Sequence, residues 1–74
     1  MTPVSRSRFT LAECILITSK IPEEDMVCLG MLDPQSIAKL MEVAPVRFRV
    51  QGFTSVPRRY ERQARMVLRS LGLH

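Results

Sequence analysis

Pro22-Glu-Glu-Asp-Met-Val-Cys-Leu-Gly-Met-Leu-Asp-Pro-Gln-Ser-Ile37 admits two readings, and the architecture turns on which of them holds. Three acids after a proline suit a helix N-terminus, where aligned peptide dipoles favour negative charge. On that reading Met26, Val27, Leu29 and Met31 belong to one short helix that Gly30 ends, and Asp33 starts another. Two short helices joined through a glycine resemble a helix–turn–helix, with Gln35, Ser36 and Lys39 facing base edges. The alternative is a strand over 26–32, because periodicity does not separate the two over so short a run.

Downstream the pattern is firmer. Asp33 is an N-cap, Pro34 sits at the first helical position, and Ile37, Leu40, Met41 and Ala44 recur at i, i+3, i+4 and i+7. This spacing predicts an amphipathic helix over 34–43. After Pro45 the period falls to two. Val46, Phe48 and Val50 alternate with Arg47, Arg49 and Gln51, which predicts a half-buried strand ending at Gly52. A last helix is expected over 57–71, with Tyr60, Ala64, Val67, Leu68 and Leu71 inward and Gly72 placed to stop it.

Upstream, Thr10-Leu-Ala-Glu13 has the S/T-x-x-E spacing of a capping box and opens a helix over 11–19. That helix is apolar on nearly every side and is expected to be buried, with a strand as the alternative because of Ile15, Ile17 and Thr18. Residues 1–9 read as a flexible basic arm and 10–74 as a single domain. The expected fold is mainly α, with α+β character. It has three to four short helices and one short strand or hairpin in a winged-helix-like arrangement, Arg47 and Arg49 on the wing.

Composition narrows the function. The chain has 74 residues, enough for one domain and no cleft between two lobes. No apolar run approaches the roughly 20 residues that span a bilayer, so no membrane partner is expected and a cytoplasmic location is. No Gly-rich phosphate loop or G-x-S-x-G elbow is present, and the single histidine is His74 at the end of the sequence. Neither catalysis nor a cofactor is expected. Two cysteines, Cys14 and Cys28, cannot supply the four ligands of a structural zinc site, so no metal is expected either. Both are expected to be buried small hydrophobes. Met26, Met31, Met41 and Met66 read as core filler, Phe48 as inward-facing, and Phe53 as the one ring that could stack on a base.

Charge is divided unevenly along the chain. Eleven Lys+Arg against seven Asp+Glu give +4 overall. Residues 1–45 hold four basic and six acidic side chains, a balance of −2. Residues 46–74 hold seven arginines against Glu61 alone, a balance of +6. Arg58, Arg62, Arg65 and Arg69 are spaced 4, 3 and 4 apart. Each residue turns a helix by about 100°, so all four fall within a narrow stripe opposite the apolar face. Like charges so spaced repel, and a polyphosphate rewards them with bidentate contacts. The sequence therefore points to nucleic acid, DNA or RNA, contacted by Arg58, Arg62, Arg65 and Arg69 with help from Arg47, Arg49 and Arg59. The alternative is a small adaptor or inhibitor, of the kind phages and plasmids encode, that docks this basic face on an acidic protein. A homodimer is compatible with either, because a short chain gains stability by burying area against a copy of itself.

Arg47-Phe-Arg-Val-Gln-Gly52 followed by Arg65-Met-Val-Leu-Arg69 resembles the C-terminal part of the small-subunit ribosomal protein numbered fourteen. The resemblance covers about a third of the chain and lacks that family's closing Gly-Pro-Gly and Lys-x-Ser-Trp segments. It keeps RNA among the partners.

Overall fold

Met26–Met31 is a strand. In the computed structural model, which describes residues 9–48 and 53–72, this strand (β1) forms one edge of a three-stranded antiparallel sheet. β2 is Arg47–Phe48 and β3 is Phe53–Pro57, and β3 lies in the middle. Val27 sits opposite Val56, Cys28 opposite Ser55, and Met31 opposite Phe53, while Arg47 pairs with Ser55 and Phe48 with Thr54. Three helices complete the fold: α1 (Leu11–Thr18), α2 (Pro34–Leu40) and α3 (Glu61–Ser70).

The expected mainly helical, winged-helix-like fold is therefore corrected to an α+β domain. The three acids after Pro22 make a single 3₁₀ turn, Glu23–Asp25, rather than the start of a helix. Val27 disfavours helix at χ1, and Gly30 would cost a helix interior about 1 kcal/mol. Gly30 instead takes φ +98°, where the register slips between Cys28 and Gly30 in a β-bulge. With its first helix a strand, the helix–turn–helix does not exist. The reading also passed over β3, whose Phe, Thr, Ser and Val suit a strand that has neighbours on both sides.

The caps follow the sequence. Thr10 Oγ1 accepts from the Glu13 N–H at 3.2 Å, and the Thr10 N–H donates to Glu13 Oε1 at 2.8 Å, completing the box. Asp33 Oδ1 accepts from the Ser36 N–H at 3.2 Å. α2 stops at Leu40, short of the expected 43, because Pro45 clashes with a helical carbonyl four residues back and biases Ala44 away from α. α3 starts at Glu61 rather than 57, after a 3₁₀ turn at Arg58–Tyr60. Gly72, at φ +85°, ends it and donates its N–H to the Arg69 carbonyl at 3.0 Å.

The core lies between one face of the sheet and the helices. Cys14 of α1, Leu40 of α2, Ala44, Val46, Val56 of β3, and Ala64 and Leu68 of α3 meet there, with Phe9, Leu29 and Tyr60 packed around them. Phe9 and Tyr60 stack edge to face at 6.0 Å. Several apolar residues expected inside are not. Leu11, Ile15 and Leu16 are exposed because only the Cys14–Thr18 side of α1 meets the core. Met31, Met66 and Phe48 are exposed as well, and Cys28 lies open on the edge strand. Cys14 is buried as expected. Burial pushes its thiol pKa up, against the Val46 N–H that donates to Sγ at 3.3 Å, and the nearby charge of Glu13 adds to the upward push.

Two measurements check this packing. Leu40 is fully buried, so Leu40→Ala should lower unfolding free energy in urea by about 2–5 kcal/mol, whereas Met66→Ala should change it by less than about 0.5. Hydrogen bonds from the Ser36 hydroxyl and N–H hold the Asp33 carboxyl below its usual range. A depressed folded pKa gives stability that is full above the unfolded value of about 3.9 and is lost as pH falls through the folded one. Asp33→Asn keeps the cap without the titration, so the acid limb of its stability curve should be shallower than that of wild type.

Candidate nucleic-acid interface

α3 sorts its side chains by phase. Ala64 and Leu68 are buried against the core, Val67 is half-buried, and Arg62, Arg65 and Arg69 are exposed. At about 100° per residue these three arginines fall within about 60° of arc. Arg58 does not share their phase, because it belongs to the 3₁₀ turn before α3. The stripe is thus three residues on the helix, approached by Arg58 and Arg59 from the turn.

Each arginine has its own surroundings. Arg65 Nε donates to Glu61 Oε2 at 2.9 Å, an i,i+4 pair in which half of the Arg65 side chain stays open to water. Such an exposed pair contributes only about 0.3–0.5 kcal/mol, so Arg65 can exchange Glu61 for a phosphate. Among the described residues, Glu61–Arg65 is the only ion pair on this face, and Arg62 and Arg69 are exposed. Arg59 is exposed and holds its guanidinium over the Tyr60 ring at 5.6 Å, which limits its conformations while leaving its donors outward. Arg58 is exposed and donates to the Glu24 carbonyl at 2.9 Å.

Arg47 belongs to the fold instead. Its guanidinium donates to Glu23 Oε1 at 3.0 Å, to the Ile21 carbonyl at 2.7 Å and to the Thr18 carbonyl, and its side chain is 19% exposed. Period-two alternation sets Arg47 outward and Phe48 inward. The structure has Phe48 exposed and Arg47 mostly covered, because the chain between α1 and β1 closes over the guanidinium, which the alternation could not reveal. Arg49 lies outside the described residues.

The residues proposed to read bases separate from the arginines. Gln35 and Lys39 are exposed on α2, but Ser36 is buried. Gln35 and Lys39 line a groove of about 910 Å³ together with Leu29, Met31, Leu32 and Leu71, and none of the arginines lines it. Phe53 is 39% exposed on β3 and does not line this groove. A shallow cleft places Lys20 and Asp25 beside Arg58 and Arg59, and its mixed charges add little net attraction for an anion. What the sequence reading missed is the seat of Arg59 on Tyr60, which depends on the 3₁₀ turn.

Among the described residues no group of three His, Cys, Asp or Glu could hold a metal ion, and no helix is long and apolar enough to cross a membrane. No protein-family model matches the sequence, and no curated protein or solved structure matches it. The partial likeness to the ribosomal protein thus finds no support there.

Arg47 and Arg62 should respond in opposite ways to truncation. Arg47→Ala leaves the Thr18 and Ile21 carbonyls without their charged donor and should cost about 2–3 kcal/mol in urea unfolding. Arg62→Ala should leave stability within about 0.5 kcal/mol of wild type. Equal losses at the two positions would contradict the division between structural and surface arginines.

Proposed function

We propose that this chain is a small, non-enzymatic, cytoplasmic protein that binds nucleic acid through phosphate contacts made by Arg59, Arg62, Arg65 and Arg69. Arg58 stands at the edge of that surface. One observation carries the reading: α3 turns three exposed arginines to one side with a single carboxylate, Glu61, to balance them. Phosphates along a strand recur at a spacing such a row can follow, and the guanidinium fork takes two phosphate oxygens at once. Gln35 and Lys39, the side chains expected at base edges, line a groove that none of these arginines lines. Phosphate contacts fix position without reporting sequence, so DNA and RNA of any sequence are the ligands.

Binding of fluorescent duplex DNA and duplex RNA across a salt series tests this. Three or four phosphate contacts give a log–log slope of affinity against salt of about −3. Arg62→Ala should reduce that slope by about 1 and weaken all sequences alike. The double variant Arg62→Glu, Arg65→Glu should abolish binding while keeping the circular dichroism of the wild type, since both side chains are exposed. Binding that ignores salt, or that survives in the double variant, would overturn the proposal. Absence of any nucleic-acid binding would favour an acidic protein surface as the partner of the same arginines.

A further inference from the structure

α1 presents a face that the fold leaves uncovered. Leu11, Ile15 and Leu16 are 55%, 61% and 60% exposed, and Ala12 and Ser19 lie among them without a charge. Phe48, 42% exposed, extends the face, because it lines one shallow pocket together with Ile15 and Ser19. On a helix these α1 residues span roughly 140° of arc, wider than an ordinary surface helix leaves apolar on its solvent side. A side chain of this size presents roughly 150–250 Å² when open, so the four large ones together expose on the order of 400 Å².

We infer that this face is a homodimer interface in which α1 packs antiparallel on α1 of a second copy. The inference does not rest on the phosphate-binding reading. Two features favour a second copy of this chain. The face is neutral on a protein of net charge +4, so two copies can meet there without bringing like charges together. The rim is also self-complementary. Glu13 and Lys20 are exposed along the same edge of α1, near its start and just past its end. A two-fold axis passing beside Leu16 reverses the helix and sets Glu13 of each copy near Lys20 of the other, twice by symmetry. That register also packs Ile15 and Leu16 of one copy on the same residues of the other. Glu13 keeps its cap in this arrangement, because only Oε1 is engaged by Thr10.

Area agrees with the assignment. With Ala12, Ser19 and the stems of Glu13 and Lys20 added, each copy brings about 600 Å², the lower end of what specific complexes bury. The dimer would accordingly be reversible, with dissociation in the micromolar range. It would carry two α3 rows on one particle, so a long nucleic acid could engage both.

Sedimentation equilibrium on the full chain, over micromolar to submillimolar concentrations, reads the state directly. Wild type should show twice the 8.5 kDa chain mass at the upper end. Ile15→Asp should remain a monomer throughout with unchanged circular dichroism. Lys20→Glu, which does not touch the apolar face, should weaken association at least several-fold at low salt and less at high salt. A wild type that stays monomeric at every concentration overturns the inference. So does a dimer that Ile15→Asp and Lys20→Glu leave intact, which would place the interface elsewhere. A monomer that instead sediments with anionic phospholipid vesicles would assign the face to a lipid surface and would equally overturn it. Arg62→Glu should leave the dimer unchanged, so failure of the phosphate reading and failure of this one are told apart.

Discussion

The pairing of Met26–Met31 with Phe53–Pro57 is the constraint on which the other elements depend. Among the described residues β3 is the only strand with neighbours on both sides, so it sets the positions of β1 and β2 at once. Its Val56 reaches the core from the centre of the sheet, and its end at Pro57 launches the turn that aims α3. Because the paired segments lie far apart in sequence, this contact must close a long loop before it contributes, and the local caps on α1 and α2 reduce what remains to be ordered. The bulge at Gly30 then bends the outer strand, which also makes its free edge a poorer template for further pairing.

Arg47 fastens the second point of the structure. It reaches from β2 to the carbonyls of Thr18 and Ile21 and to Glu23, joining the sheet to the chain that links α1 and β1. Turn carbonyls that would otherwise need water are satisfied by one rigid fork. A lysine could not hold three acceptors in these directions, which explains why this position suits Arg independently of any ligand. The same residue type therefore has two uses here, distinguished only by what lies across from it.

What was legible in the sequence is what depends on near neighbours. The Thr10–Glu13 box, the Asp33-Pro34 start and the Gly72 stop need only a few residues to be recognised, and the structure contains each. The phase of Arg62, Arg65 and Arg69 likewise follows from helix geometry alone. Residues 26–31 and 53–57 were not legible, because their conformation is decided by each other across the fold. Local signals were even misleading, since the acids after Pro22 suit a helix start. Exposure on α1 failed for a related reason. An all-round apolar helix implies burial only when the rest of the chain is large enough to surround it, and this chain covers one side.

The distribution of carboxylates connects these observations to the charged face. Glu13 and Asp33 are turned toward backbone N–H groups at helix starts, and Glu23 meets Arg47. Three carboxylates of the acidic first half thus use their negative charge on local backbone donors and on an arginine inside the fold, while Glu24 and Asp25 lie exposed in the turn that meets Arg58. Long-range neutralisation of α3 would require those three carboxylates to leave such partners. Glu61 is the carboxylate of α3 itself, and its exposed pair with Arg65 is of the kind that exchanges readily. Positive potential over α3 is therefore a consequence of how the helices are capped, as much as of how many arginines the sequence holds. An anion that reaches Arg62, Arg65 and Arg69 competes with water and the weak ion pair of Glu61, while Glu13, Asp33 and Glu23 are engaged elsewhere in the fold.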